Sequence, residues 1–310
     1  MTGVMIFCLE KCALRHYRAC FTQKYSRDMT TSLISSNTHQ PRITLRWWGL
    51  LLRAVVALLI LLVGNFLRVP LMALPVMRSE STLGLVGNIL APVITLAVCW
   101  ILVLLWMKHV ERKPFASTGF SNFRQMLPGL LGGTAIVAVP TVISALILSA
   151  LAENGTSVQE ISGMSRSMIV LSVVFIISMS FILQGIPEEL IYRGWLFSLT
   201  KARPWFTVAW TTAAFTIIHL LSQGGQQNMW QRVEYLVLPL SMGLLAGAVV
   251  LLTDNPWYAA GTHGGMHLCN GLLPLVFAYN QQGPQAWYIG ALCQGVVAAA
   301  LLVLWRRRQA

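Results

Sequence analysis

Residues 167–195 read SMIVLSVVFIISMSFILQGIPEELIYRGW, and this stretch decides the fold. Residues 167–186 contain no charged side chain, and a helical run of that length matches the ~30 Å hydrocarbon core of a bilayer. Two adjacent carboxylates, Glu188 and Glu189, follow at once. The stretch therefore predicts a membrane-spanning helix that carries acidic side chains at one end.

The rest of the chain repeats this apolar pattern. Of its 310 residues, 56% are hydrophobic and only 10% are charged, whereas a soluble domain normally has about 25% charged residues. The composition predicts an all-α, polytopic transmembrane helical bundle of about eight spans. We expect a basic, poorly ordered N-terminal tail over residues 1–46 and a membrane domain over 47–310, with spans at about 47–67, 83–107, 126–151, 167–186, 204–222, 233–253, 257–279 and 286–305.

The basic residues indicate how the spans are oriented. With both termini in the cytoplasm, the only members of the 22 Lys and Arg residues that fall on the outer side are Arg68, Arg78, Arg166 and Arg232. This bias agrees with the positive-inside rule. The same rule also accounts for the net charge of +12. A nucleic-acid-binding protein would instead show a basic patch interleaved with aromatic residues, and the sequence contains no such patch. We therefore expect the lipid bilayer to be a partner and nucleic acid not to be one.

The glutamate pair lies at a point where the helix is expected to change. Pro187 suits the first turn of a new helical segment, and Gly185 allows a break or kink before it. Glu189 and Arg193 are four residues apart and share a helical face, whereas Glu188 points elsewhere. The spacing predicts an ion pair between Glu189 and Arg193 and leaves Glu188 available as a base.

Three histidines lie in later apolar spans. His219 ends the segment that begins at Phe215, and His263 and His267 are four residues apart in the seventh span. Two histidines at this spacing project from one helical face and are a common metal-binding or catalytic arrangement. Ionisable side chains inside a membrane are costly and usually functional, so we expect these histidines and Glu188 to converge on one wet cavity.

These motifs, in this order, resemble the CAAX-protease and bacteriocin-processing (CPBP or Abi) family of intramembrane endopeptidases. The family pattern is EExxxR, then FxxxH, then HxxxN or HxxxD. Glu188-Glu189-xxx-Arg193 and Phe215-xxx-His219 match the first two motifs, and the resemblance covers about residues 167–275. His263 matches the start of the third motif, but His267 stands where the family has Asn or Asp.

The resemblance implies a CAAX prenyl protease-like activity on a membrane-embedded or lipidated peptide or protein. Carried over, Glu188 and His219 activate the attacking water, His263 and residue 267 stabilise the oxyanion, and Glu189 with Arg193 supports the site. It implies a multi-pass protein of the membrane, which we expect to be the bacterial inner membrane.

Two alternatives remain open at the level of sequence. The leading mechanism needs no cofactor, but His219, His263 and His267 are also a possible set of zinc ligands. A catalytic zinc site uses three protein ligands and one open position, and His267 in place of Asn strengthens that alternative. In the second alternative, the chain is a non-catalytic membrane immunity or scaffold protein that keeps the same residues for folding or binding.

Overall fold

The structure is a computed structural model, and it describes residues 40–79, 81–152, 158 and 163–310. The predicted tail over residues 1–46 lies almost wholly outside these ranges. Within them the chain forms helices and turns without a β-strand, which confirms the all-α class. The α-helices span Trp47–Phe66, Val69–Met72, Thr82–Leu90, Pro92–Trp106, Met126–Ala150, Arg166–Ile177, Ile186–Glu189, Phe197–Thr200, Pro204–Ile218, Met229–Tyr235, Val237–Thr253, Pro256–Leu272 and Pro284–Gln309.

Seven helical runs of the described chain are long and apolar enough to cross a membrane, which confirms a polytopic helical bundle. Several of these runs contain two or more of the helices above. The sidedness of the termini stays a prediction. The seven runs are Trp47–Met72, Thr82–Glu111, Phe115–Ala150, Arg166–Thr200, Pro204–Leu221, Met229–Thr253 and Pro284–Gln309.

The seventh predicted span, 257–279, corresponds to the helix Pro256–Leu272, which we call the histidine helix. It has 17 residues, one fewer than the shortest of the seven runs. A 3-10 turn, Leu273–Leu275, follows it, so the predicted end at residue 279 was too late. Pro274 contributes to the early end, because it has no backbone N–H to continue the hydrogen-bond pattern of the α-helix. Most of its first ten residues are buried, so the helix contacts protein rather than lipid.

The run Arg166–Thr200, which we call the motif helix, carries the glutamate pair without a break. Wider π-helical turns at Ser178–Gly185 and Leu190–Leu196 flank a single α-helical turn at Ile186–Glu189. The kink that Gly185 and Pro187 predict is thus a change of helical pitch. Such π-helical turns are frequent at functional sites.

Glycines fix the histidine helix between two neighbours. A Cβ atom built on Gly185 of the motif helix would lie 2.8 Å from the Gly264 backbone nitrogen. On the other side, a Cβ atom on Gly261 would lie 2.7 Å from the Gly129 carbonyl oxygen of the helix Met126–Ala150. Small residues allow membrane helices to approach this closely. The glycines beside the third motif therefore serve contact between helices.

A buried ion pair joins the first helix to the rest of the bundle. Arg53 binds Glu111 through both ends of its guanidinium group, with Nε–Oε1 and Nη2–Oε2 distances of 2.8 and 2.7 Å, and both side chains are fully buried. Two indole groups donate to the same Glu111 oxygen: Trp106 at 2.8 Å and Trp195 of the motif helix at 3.2 Å. This network ties the helix Trp47–Phe66 to the motif helix.

Candidate active site

The second glutamate of the pair is the buried centre of the site. Glu189 is fully buried, and its Oε2 lies 3.2 Å from Nε of Arg193. Arg193 also donates from Nη1 to Glu189 Oε1 at 3.3 Å and from Nη2 to the carbonyl oxygen of Gly243 at 2.7 Å. The ion pair that the four-residue spacing predicts is present, and the helix Val237–Thr253 anchors its far end.

His263 binds the same carboxylate from the histidine helix. Its Nδ1 lies 3.0 Å from Glu189 Oε1, and its side chain is buried. A carboxylate only accepts hydrogen bonds, so Nδ1 carries the proton that the two atoms share. Glu189 therefore joins the motif helix to the histidine helix, and Nε2 is the nitrogen of His263 left for another partner.

Phe215 brings His219 to this cluster. Its ring lies 4.6 Å from the imidazole of His219 and 5.6 Å from that of His263, between ring centroids, and the Arg193 guanidinium lies 4.7 Å from its centre. Nδ1 of His219 lies 2.8 Å from the Phe215 carbonyl oxygen. Because a carbonyl only accepts, Nδ1 is the donor, and the neutral ring presents the lone pair of Nε2.

His267 extends the cluster by one helical turn. Its ring centroid lies 5.2 Å from that of His263, and the residue is half-buried. The two histidines of the third motif are therefore neighbours on one face of the histidine helix, as their spacing predicts.

Glu188 differs from Glu189 in having no such partners. It is half-buried, and its Oε2 is shielded from solvent without a hydrogen-bond partner among the residues that the structure describes. His263, Glu189 and Arg193 are among the titratable groups near it. No direct contact joins Glu188 to His219 in the described chain. Both belong to the same cluster, His219 through Phe215 and Glu188 through the adjacent Glu189.

Gly243 is a residue of this site that sequence reasoning missed. A Cβ atom at this position would lie 2.9 Å from Thr212 Cγ2 and 3.1 Å from Arg193 Nη2, so only glycine leaves room for the arginine to reach the backbone. One glycine in a long apolar run gives no signal of this role, because the partner is 50 positions away in the chain.

The described side chains do not form a metal site. Within the ranges that the structure covers, no three His, Cys, Asp or Glu side chains are placed to share one metal ion. Nδ1 of His219 and Nδ1 of His263 are both engaged by protein oxygens. The zinc alternative with His219, His263 and His267 as ligands stays a prediction, because these bonds leave Nε2 of His219 and His263 available and a metal-bound imidazole commonly donates its other N–H to such an oxygen.

Comparison with known proteins bears on the same residues. Residues 169–269 match the model of a family described as type II CAAX prenyl endopeptidase Rce1-like. The match includes all three motifs, from Glu188 to His267. Neither a curated protein nor a solved structure matches the chain significantly. The resemblance to the CAAX-protease family that the motifs predict is therefore confirmed, and it extends over residues 169–269 of the chain.

Proposed function

We propose that this protein is an intramembrane endopeptidase that hydrolyses a peptide bond of a membrane-embedded or lipidated peptide or protein. The family match supports a CAAX-type endopeptidase in general. The observation that carries the finer proposal is the contrast between the two glutamates. Glu189 forms an ion pair with Arg193, and its Oε1 accepts hydrogen bonds from Arg193 and His263, whereas Glu188 has neither an ion pair nor a hydrogen bond to Oε2 in the described structure.

Glu188 is the general base in this mechanism. Its carboxylate takes a proton from a water molecule, and the water oxygen attacks the carbonyl carbon of the scissile peptide. Nε2 of His219, whose Nδ1 is held by the Phe215 carbonyl, helps to orient that water. The C–N bond then breaks, and the proton on Glu188 passes to the leaving amine. A positioned base and acid of this kind typically contribute about 10²–10⁴-fold to a rate.

The histidine helix supplies the groups for the oxyanion. Because Nδ1 of His263 donates to Glu189, Nε2 of this ring donates to the oxyanion only when the ring carries both protons, and Glu189 then balances its charge; His267 lies beside it. An imidazole N–H at position 267 takes the part of the amide that the family has there. Donors aimed at the developing negative charge are often the largest single contribution to such catalysis. Glu189 and Arg193 act as positioning residues, since they bind neighbouring side chains rather than substrate.

The leading mechanism uses no metal. We further propose that the protein acts in the bacterial inner membrane, where the predicted topology puts Glu188 towards the cytoplasmic side. The bilayer supplies the substrate.

The test of this proposal uses the full chain reconstituted in liposomes with a library of membrane and lipidated peptides. Wild type should cleave at least one class of peptide, and Glu188→Ala should abolish that cleavage while its thermal unfolding stays unchanged. If no peptide is cleaved, or if Glu188→Ala cleaves as well as wild type, the immunity or scaffold alternative replaces the protease.

A further inference from the structure

A large apolar groove opens between the first helix and the helix Pro204–Ile218. Its volume is about 1160 Å³, above the roughly 300–1,000 Å³ that is usual for small-molecule pockets. Leu50 and Ala54 line one wall, and Trp210, Ala213 and Ile217 line the other. No residue assigned to the active site lines this groove.

The groove and the active site use opposite faces of the same helix. Trp210, Ala213 and Ile217 recur at intervals of three and four residues, which places them on one face. Phe215 is fully buried on the other side of the helix, where it contacts His219. A ligand in the groove therefore contacts the helix that carries His219 without entering the site.

The mouth of the groove is basic. Arg46 and Arg203 both line it and are exposed, and neither guanidinium has an ion pair with any described residue. Lys201, two positions from Arg203, does have one, at 2.6 Å from Asp254. The mouth also contains Thr200, whose hydroxyl accepts a hydrogen bond from Trp210 Nε1. Two positive charges that have no ion-pair partner among the described residues thus stand where the apolar groove begins.

The depth of the groove corresponds to one leaflet of a bilayer. Arg46, Thr200 and Arg203 lie next to the ends of membrane-crossing helices, at the level where headgroups meet the protein. On the helix Pro204–Ile218, the apolar residues that line the groove extend from Phe206 to Ile217. Eleven residues of helix cover roughly 16 Å, which is about half of the ~30 Å hydrocarbon core.

We propose that this groove binds one anionic phospholipid, with its phosphate between Arg46 and Arg203 and an acyl chain along Trp210, Ala213 and Ile217. The charge at the mouth selects an anionic headgroup, and the apolar walls of one-leaflet depth select a lipid tail. Basic pockets between transmembrane helices are known to hold such headgroups. The lipid fills the space between the first helix and the helix of His219.

The experiment is native mass spectrometry of the full chain in detergent, titrated with dioleoyl phosphatidylglycerol or, separately, dioleoyl phosphatidylcholine. Wild type should retain one phosphatidylglycerol at least about tenfold more strongly than phosphatidylcholine. The double variant Arg46→Glu/Arg203→Glu should lose that preference. The matched control is Lys108→Glu/Arg124→Glu, which makes the same charge change at exposed residues outside the groove, and it should bind as wild type does.

A second variant tests the acyl chain separately from the headgroup. Ala213→Trp fills the groove at an exposed position and keeps both arginines. It should therefore lower phosphatidylglycerol retention by about tenfold, the same factor as the preference of the wild type. Thermal unfolding checks that each variant is folded. Equal retention of the two lipids, an equal loss in the control pair, or full retention by Ala213→Trp would overturn the proposal.

Discussion

His263 Nδ1 lies 3.0 Å from Glu189 Oε1, although 74 positions separate the two residues in the chain. This contact joins the first and third motifs of the family into one buried unit. Arg193 binds the same carboxylate from the motif helix. Glu189 Oε1 accepts the hydrogen bond of His263 and Oε2 lies in ion-pair contact with Arg193, and we propose the neighbouring Glu188 as the carboxylate for chemistry.

The close approach of the motif helix to the histidine helix depends on Gly185. A Cβ atom there would lie 2.8 Å from the Gly264 nitrogen and 3.0 Å from the Ala260 carbonyl oxygen, which are backbone atoms that cannot turn aside. We expect Gly185→Ala to separate the helices, to cost about 1–3 kcal/mol of stability, and to lower cleavage by lengthening the Glu189–His263 contact. Thermal unfolding and peptide cleavage measure the two effects.

The matched control for this substitution is Gly295→Ala in the last helix. A Cβ atom at Gly295 has nothing within 4 Å, so the same change should leave stability and cleavage as they are. Equal behaviour of the two variants would show that the close approach at Gly185 is not needed.

The buried pair of Arg53 and Glu111 should matter far more than the exposed pair of Lys201 and Asp254. Removal of one partner of a buried ion pair typically costs about 3–5 kcal/mol, and Glu111→Gln also weakens the hydrogen bond from Trp195 of the motif helix. Asp254→Asn breaks a pair whose side chains are 59% and 75% exposed, so its effect should stay within about 1 kcal/mol. Thermal unfolding in detergent compares them, and a similar loss in both would argue against the structural role of the buried network.

Position 267 tests the proposed oxyanion donor. His267→Asn restores the residue type that the family motif has there and keeps an N–H donor, so it should retain most of the cleavage activity. His267→Leu removes the donor and should lower kcat by roughly 10²–10³-fold, as loss of one oxyanion donor does. Full activity of His267→Leu would remove this residue from the mechanism.

Metal dependence separates the two mechanisms directly. Because the described His, Cys, Asp and Glu side chains do not assemble a metal site, we expect a preparation shown by elemental analysis to lack zinc to cleave at the full rate. Loss of activity on chelation that zinc restores would support the metalloprotease alternative instead.

The sequence predicted the local features of this site well and the distant ones poorly. The apolar runs revealed the membrane helices, and the four-residue spacing revealed the pair of Glu189 and Arg193, since both depend on helical periodicity alone. The contact of Glu189 with His263 depends instead on which helices are neighbours. That arrangement depends on glycines such as Gly185. The position of a glycine in an apolar run does not show which helix it will contact.

The end of the seventh predicted span shows the same limit. Residues 257–279 are predicted as a span because they are uncharged, but the helix there ends at Leu272 and its first half is mostly surrounded by protein, which composition does not reveal. In the count of basic residues that predicts the orientation, Arg53 is only one of the residues assigned to the cytoplasmic side. Its full burial against Glu111 depends on a partner 58 positions away, which spacing along one helix does not reveal.

The two adjacent glutamates provide the most direct test of the whole account. Glu188→Gln and Glu189→Gln should be compared in the same liposome cleavage assay, each with its thermal unfolding measured. We predict that Glu188→Gln loses about 10²–10⁴-fold in rate, as loss of a general base does, and unfolds at the wild-type temperature. Glu189→Gln should be destabilised because it breaks the buried contacts with Arg193 and His263. A Glu188→Gln protein that cleaves at the wild-type rate would contradict the assignment of Glu188 as the base.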